Sequence, residues 1–278
     1  MGNLIKLNLA RNCLKYIIKS YGIKQLFIPY FTCPVVWQSI REVGCAVKFY
    51  HIDDKFLPIT EFGKKDYILY TNYFGLFEDN CKILAKKYKN LIVDNSQGFY
   101  SKNYGIATFN SLRKFFRVQN GTYLYIEKIL NEQFPEDELS FKYNPLIQED
   151  YESFLKNELF LDKEKGIKMI SKNVKIQMNN VDFNFDKNFR HEYFEKYAII
   201  FNKFNKIKFK FNENSFPYCY PLSCSNEQIK NKLISLNLPL LRLWKNFPSD
   251  FIESTFLNDT VALPLNDKSF ADYILEKF

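Results

Sequence analysis

The sequence predicts an α/β protein with a mostly parallel sheet, on three observations. Short apolar runs alternate with amphipathic segments from residue 10 to residue 126. The apolar runs end at turn-forming or polar residues, as strands do. Strands that alternate with helices in this way form right-handed crossovers, which make the sheet parallel.

The first ninety residues contain three predicted helices and the strands between them. In the first helix Leu14, Ile17 and Ile18 recur at helical spacing, and Asn8 is a candidate N-cap. Gly44 ends the second helix. The predicted elements are helix 10–21, strand Gln25–Ile28, helix Cys33–Val43, strand Ala46–Tyr50, strand Tyr67–Tyr70 and a helix from Asn80 to Tyr88.

The next stretch pairs an acidic residue with a lysine at strand ends. The predicted strands here are Leu91–Val93, Gly105–Phe109 and Thr122–Ile126. Asp94 follows the first of them, and Lys114, 20 residues later, follows the second. Ligands of open parallel sheets bind beyond the carboxyl ends of the strands, so both side chains are expected at a binding site.

A lysine and a carboxylate in this order suit pyridoxal 5′-phosphate (PLP) chemistry. The lysine amine forms a Schiff base with the cofactor, and the carboxylate keeps the pyridine nitrogen protonated. Each residue also has an ordinary interpretation. Asp94 is a possible turn residue or helix cap, and Lys114 beside Arg113 a possible solvated surface pair.

The same stretch resembles the DegT/DnrJ/EryC1/StrS family of fold-type-I, PLP-dependent sugar aminotransferases. VDNSQGF is similar to the family's D-x-x-Q segment, and SLRKFFRVQNGTYLY is similar to its lysine–turn–strand segment. The resemblance implies that Lys114 is the Schiff-base lysine and that Asp94 is the partner of the pyridine nitrogen. It also implies that Gln97 lies near the ring hydroxyl.

The resemblance extends to the first fifty residues. LARNCLKYIIKSYGIKQLFIPYFTCPVVWQSIREVGCAVKFYHID is similar to the family's opening of phosphate-binding helix, strand, loop, helix and strand. It implies that the helix start at Ala10, Arg11 and Asn12 holds the PLP phosphate, which suits a helix N-terminus. Ser111 is expected to add a hydroxyl to that phosphate.

Three departures from the family pattern favour a different role. Cys33 stands where the family commonly has an aromatic residue against the pyridine ring, and a thiol has no π-face. Cys33 is still expected at the cofactor, with Tyr30, Phe31 or Tyr73 as replacement aromatic residues. Ala10 replaces a family glycine, and nine residues precede the phosphate helix where the family has several tens.

The second half is expected to join a large PLP-binding domain, residues 1–180, to a small domain, residues 181–278. A broad aromatic face runs along a predicted helix from Phe185 to Phe204 and is interpreted as core. Arg242 and Trp244, like Tyr30 and Tyr73, are candidate substrate contacts. The later predicted elements are strand Lys206–Phe211, strand Tyr218–Leu222, helix Asn226–Leu236, strand Pro239–Trp244, a helix from Pro248, strand Val261–Leu265 and a helix from Ser269.

Composition narrows the class of protein. Hydrophobic content of 46% in 278 residues is ample for a core, and no run reaches the roughly 18 apolar residues of a membrane span. The net charge of +8 is spread over the chain, so no nucleic-acid partner is predicted. Six scattered cysteines and two histidines predict reduced thiols in the cytoplasm and no metal site.

Two functions from different classes remain open, and a third ranks below them. The first is a homodimeric, PLP-dependent aminotransferase that transfers an amino group, expected from glutamate, to a nucleotide-linked keto-sugar in surface-polysaccharide biosynthesis. The second is a catalytically degenerate fold-type-I protein that serves as a binding or assembly subunit. Another PLP reaction, such as dehydration, ranks lowest because relatives of that kind replace the lysine.

Overall fold

A seven-stranded sheet forms the centre of the protein, which a computed structural model describes over residues 2–138, 151–224, 226–236, 240–244, 248–258 and 260–278. Its strands are β1 (Asn3–Leu7), β2 (Gln25–Pro29), β3 (Ala46–Tyr50), β4 (Tyr67–Thr71), β5 (Leu91–Asn95), β6 (Ala107–Asn110) and β7 (Thr122–Ile126). The order across the sheet is β1-β7-β6-β5-β4-β2-β3. Strands β2 to β6 are parallel, and β7 pairs antiparallel with both β6 and β1. The predicted α/β class and mostly parallel sheet are confirmed.

Helices cover the sheet and continue into the second half of the chain. The described helices are α1 (Ala10–Tyr21), α2 (Pro34–Glu42), α3 (Glu78–Lys87), α4 (Tyr151–Lys163), α5 (Lys172–Asn179), α6 (Phe183–Phe201), α7 (Glu227–Ser235), α8 (Ser254–Leu257) and α9 (Lys268–Glu276). Three 3₁₀ turns occur at Tyr73–Gly75, Leu112–Lys114 and Asn202–Phe204. Strands β8 (Cys219–Ser223) and β9 (Thr260–Pro264) form a separate antiparallel pair. In the described part of the chain, no helix is long and apolar enough to cross a membrane.

Strand β5 is buried on both of its faces, as a central parallel strand should be. Leu91 and Val93 belong to one hydrophobic cluster, whereas Ile92 belongs to another, because successive side chains of a strand point to opposite faces. Full burial of an aliphatic side chain of this size contributes about 1.5–3 kcal/mol. This packing holds the end of the strand, and therefore Asp94, in a fixed position.

The start of α1 differs from the prediction. The N-cap is Leu9, which has no capping side chain, and not Asn8. The amide of Asn8 is used elsewhere: its Oδ1 accepts from Asn12 Nδ2 at 2.8 Å, and its Nδ2 lies 3.4 Å from an Asp137 oxygen. The first N–H groups of the helix are therefore left without a side-chain cap from Asn8.

Two predicted strands of the second half are wrong in the part that the structure describes. Lys206–Phe211 has exposed lysines beside the buried Ile207 but forms no strand in the described chain, although the Lys206 N–H donates to the Ser223 carbonyl of β8 at 2.8 Å. Its alternation reflects one-sided burial without a neighbouring ladder. Of the predicted strand Pro239–Trp244, the described residues form only an isolated bridge between Leu241 and Ala262, and residues 237–239 lie outside the description.

The region around the predicted domain boundary also differs in detail. The helix expected from Pro248 begins only at Ser254, after a series of turns. One hydrophobic cluster joins Val93 of the sheet to Tyr197 of α6 and Leu263 of β9. The two parts of the chain therefore share packing, and the division at residue 180 stays a prediction.

Candidate active site

A cavity with an empty volume of about 770 Å³, counting its open mouth, lies at the carboxyl ends of β4, β5 and β6. Ligands of open parallel sheets bind at such strand ends. Seven of the residues predicted from the sequence as site residues line it: Ala10, Arg11, Cys33, Asp94, Gln97, Ser111 and Lys114. These residues come from four separate stretches of the chain, so the fold brings them together.

Asp94 is the acidic group of the cavity. It pairs in register with Thr71 of β4 and Phe109 of β6, and it is only 7% exposed. Burial raises the pKa of Asp94, while the Lys114 ammonium and the backbone N–H of Ser96, 2.7 Å from Oδ1, act in the opposite direction. Burial disfavours an isolated negative charge, so this carboxylate is stabilised by a nearby cation or by protonation.

Lys114 is the basic group opposite Asp94. It closes the 3₁₀ turn that follows β6, and its Nζ lies 5.9 Å from the centre of the Tyr218 ring. Burial lowers the pKa of Lys114, and the Asp94 carboxylate partly offsets this. An amine of this kind is more often neutral, and thus nucleophilic, than an exposed lysine.

The turn that carries Lys114 is held on several sides. The N–H of Leu112 donates to the carbonyl of Gly121 at 2.9 Å, and Leu112 also accepts from Phe115 and Phe116. Arg113 makes a two-pronged ion pair with Glu158 of α4, in which Nη2 and Oε2 are 3.0 Å apart. Fork-to-fork pairing of this type restricts orientation as well as position. The neighbouring Arg113 side chain therefore points to α4.

The N-terminus of α1 forms another wall of the cavity. The backbone N–H groups of Ala10 and Arg11 have no hydrogen-bond acceptor among the described residues, whereas that of Asn12 donates to Leu9 at 2.9 Å. The Arg11 side chain is directed to Asp162, with Nη2 and Oδ1 2.8 Å apart. Free N–H groups at the start of a twelve-residue helix favour an anion.

Gln97 presents an unpaired donor to the cavity. Its Oε1 accepts from the N–H of Phe74 at 2.6 Å, while its Nε2 is buried without a partner in the described chain. Phe74 has a left-handed φ of 59° and is followed by Gly75 at φ 77°. This tight turn after β4 fixes which end of the Gln97 amide faces the cavity.

Four predicted site residues lie outside the lining of this cavity. Asn12 is buried behind the α1 terminus. Tyr73 is fully buried, and its hydroxyl donates to the Phe31 carbonyl at 3.0 Å. Tyr30 stacks on Phe49 with 4.8 Å between ring centres. Arg242 is exposed.

Two lining residues were missed or given another role. Thr71 lines the cavity and has a buried, unpaired Oγ1, and its position as a polar residue at the end of a parallel strand was a usable signal. Trp244, expected at the substrate, lines the same cavity as Cys33 and packs edge-on against Phe31, with ring centres 4.6 Å apart. Its contact depends on tertiary packing that no local pattern reveals.

The fold of this chain is similar to the folds of solved aminotransferase structures. No protein-family model and no curated protein sequence matches the chain. A DegT DnrJ EryC1 StrS aminotransferase from Brucella abortus matches 99% of this chain and 84% of its own, with 12% identity and a TM-score of 0.65. This chain has the fold of that aminotransferase.

Other solved structures agree on the fold. Helicobacter pylori PseC, an aminotransferase involved in the biosynthesis of pseudoaminic acid, has 15% identity and a TM-score of 0.63, with 100% of this chain and 86% of PseC covered. NtdA from Bacillus subtilis, solved with bound cofactor PMP, has 12% identity and a TM-score of 0.65, with 99% and 72% covered. The predicted fold-type-I architecture is therefore confirmed.

The residues present fit a pyridoxal phosphate group. The free N–H groups of Ala10 and Arg11 suit its phosphate, and Asp94 suits a protonated ring nitrogen. The Nε2 of Gln97, unpaired among the described residues, is a donor for the ring oxygen, and Lys114 is a partly buried amine for the aldehyde. No cluster of three potential metal ligands occurs within the described residues.

Proposed function

We propose that this chain is a PLP-dependent aminotransferase that acts on a keto-sugar, in the form of a nucleotide-linked sugar. The observation that carries the proposal is that the buried Asp94 and the partly buried Lys114 line one cavity, with the pKa of the lysine lowered and that of the acid raised. Ionisable groups that share a cleft and whose pKa values are shifted by burial and by each other are typical of functional sites. The fold shared with PseC and NtdA agrees with this chemistry.

Each residue then has a stated task. When bound, PLP supplies an aldehyde that exchanges amino groups and a pyridinium ring that withdraws electrons. Lys114 Nζ attaches the cofactor and, once displaced, removes and returns a proton as base and acid. Asp94 holds the proton on the ring nitrogen. Ala10 and Arg11 bind the phosphate through backbone N–H groups, Ser111 adds its hydroxyl, and Gln97 donates to the ring oxygen.

The amino donor, the assembly and the pathway are parts of the same proposal. Glutamate is the proposed amino donor, a cytoplasmic homodimer the proposed assembly, and surface-polysaccharide biosynthesis the proposed pathway. Trp244 and Cys33 both line the cavity of the proposed cofactor site. The aromatic surface over the cofactor is therefore assigned to Trp244, since Cys33 has none.

The deciding experiment is covalent trapping of the cofactor. Protein mixed with PLP is expected to gain a visible absorption band, and borohydride is expected to fix one cofactor per chain. Peptide mass mapping should then find the label on Lys114. Adding L-glutamate before borohydride should bleach the band and release 2-oxoglutarate.

The controls separate this chemistry from general lysine reactivity. Lys114→Ala is expected to lose the band and the label, whereas Lys89→Ala, at an exposed lysine, should behave as the parent protein. Label scattered over surface lysines, with no defined band, would refute the aminotransferase. The binding-subunit alternative would then explain why the fold persists.

A further inference from the structure

Arg190 of α6 is the largest side chain that is completely buried in the described structure. Its Nε donates to Asp186 at 2.7 Å, and its Nη2 donates to the carbonyl of Phe115 at 2.9 Å. Its Nη1 lies 3.3 Å from the carbonyl oxygens of both Pro217 and Tyr218. One guanidinium therefore joins α6 to the end of the lysine turn and to the segment that enters β8.

Both of the joined segments touch Lys114. Phe115 follows Lys114 directly in the chain, and the Arg190 guanidinium carbon also lies 4.3 Å from the centre of the Phe115 ring. Tyr218 is the residue whose ring lies 5.9 Å from Lys114 Nζ. Arg190 thus binds the backbone carbonyl of Phe115, next to Lys114, and the backbone carbonyl of Tyr218, whose ring lies near the Lys114 amine.

The network also reaches the segment that follows Asp94. The Asp186 oxygen that binds Arg190 accepts a second hydrogen bond, from the hydroxyl of Tyr100 at 2.7 Å. Burial, followed by the Asp186 carboxylate, raises the pKa of Tyr100, so its hydroxyl stays a donor. Tyr100 is three residues beyond Gln97. The chain of contacts therefore connects the two sides of the cavity.

Burying a guanidinium group costs more free energy than burying an apolar side chain. Desolvation of an ion costs several kcal/mol, and well-packed apolar residues often replace buried ion pairs without loss of stability. The planar fork of an arginine, however, can bind several acceptors at fixed angles, which an ammonium or an apolar side chain cannot do. Here three of its acceptors are backbone carbonyls, those of Phe115, Pro217 and Tyr218.

We propose that Arg190 is a positioning residue for Lys114, because its guanidinium holds the lysine turn against Tyr218 and so keeps water away from the Lys114 amine. The importance of this position for catalysis rests on the proposed function. The positioning itself is a property of the cofactor-free protein and can be measured there.

The expected effect on titration follows from the groups that face Lys114. These are Asp94 of β5, Cys33 before α2, Cys219 of β8 and the neighbouring Arg113. Burial is the largest influence and lowers the pKa of Lys114. If the turn loosens, water returns to the amine and its pKa rises toward the ordinary lysine value.

The test is competitive acetylation of the full-length, cofactor-free protein across a pH series, with the rate at Lys114 read by mass spectrometry. Arg190→Lys keeps the charge without the fork, and Arg190→Gln removes both. Each is expected to slow Lys114 acetylation at neutral pH about threefold or more, which corresponds to about half a pH unit. Tyr193→Phe is the matched control in the same helix, because it loses only the hydroxyl that contacts Asp272.

The outcomes separate positioning from general stability. Tyr193→Phe should lower the melting temperature and leave the Lys114 profile unchanged. Loss of melting temperature in Arg190→Gln with an unchanged Lys114 profile would overturn the proposal, as would a normal profile in Arg190→Lys. If Arg190→Gln fails to fold, Asp186→Asn provides the same test through its partner. Failure of PLP to attach to the parent protein would refute the proposed function but not this comparison.

Discussion

Gly75→Ala should damage both stability and the cofactor site, because Gly75 supports Gln97. Gly75 has a φ of 77°, and a Cβ built on it would lie 2.3 Å from the carbonyl oxygen of Gln97. Ordinary van der Waals contact is near 3.5 Å, so the two backbones must separate by about 1 Å. Gln97 contributes the unpaired donor of the cavity, so its displacement reaches the proposed cofactor.

The size of the effect can be divided into two parts. A left-handed conformation costs an alanine about 1–2 kcal/mol relative to glycine. Overpacking against a fixed neighbour adds about 1–3 kcal/mol. Gly44→Ala isolates the first part, because Gly44 has a similar φ of 72° but no atom within 4 Å of the built Cβ.

Urea and thermal midpoints, with PLP affinity measured from the visible band, provide the assay. Gly44→Ala should lower the free energy of unfolding by about 1–2 kcal/mol and leave PLP binding unchanged. Gly75→Ala should lower it by about 2–5 kcal/mol and weaken PLP binding. Equal losses of stability in the two variants, with PLP affinity retained in both, would refute the contact between Gly75 and Gln97.

Three further predictions concern the pair in the cavity and one buried acid outside it. Asp94→Asn should still bind PLP but lose most of its glutamate-dependent turnover, because an amide cannot hold the ring proton; unchanged kcat would make Asp94 a turn residue. Lys114 should be acetylated at lower pH than the exposed Lys89, and at lower pH still in Asp94→Asn, because the Asp94 carboxylate raises the pKa of Lys114; identical profiles would contradict its burial. Glu253→Leu should cost about 1–3 kcal/mol of stability without affecting PLP attachment, because it removes the buried carboxylate that accepts from the N–H of Ile52 at 3.0 Å; an unchanged urea midpoint would count against this.

Local sequence patterns were sufficient for most of the sheet. Strand β7 begins and ends where it was predicted, and β5 extends two residues further, because both are short apolar runs with clear ends. Strand β1 was missed, since Asn3–Leu7 is short, half-exposed and stabilised by pairing with β7. Lys206–Phe211 has the right alternation without a partner strand, and alternation alone reports exposure and not pairing.

The candidate site was predictable to the extent that it depends on strand ends. Asp94 and Lys114 follow consecutive strands, and neighbouring parallel strands bring such residues together. The network of Arg190 was not predictable, because only Asp186 is local and its other three partners are backbone carbonyls 27, 28 and 75 residues away. Trp244 was a candidate substrate contact from the sequence, but its packing on Phe31 and Tyr73 has no local signal.

The burial that shifts the pKa values of Lys114 and Asp94 also lowers the stability of the folded chain. The pKa of Lys114 is lower in the folded than in the unfolded chain. Its burial therefore destabilises the folded chain most at pH values below the folded pKa. This destabilisation disappears as the pH rises to the ordinary lysine pKa. The effect of Asp94 depends on pH in the opposite direction, because its pKa is raised on folding. Its burial destabilises the folded chain increasingly as the pH rises above the ordinary aspartate pKa. Mutual attraction of the two groups offsets part of both costs. The remaining free-energy cost is removed by a ligand that pairs with Asp94, reacts with the Lys114 amine and binds the free N–H groups of α1. Such a ligand binds the folded chain and not the unfolded chain, so it also stabilises the folded state. Under the proposed function, the desolvation that lowers the pKa of Lys114 therefore also couples folding of this region to cofactor binding.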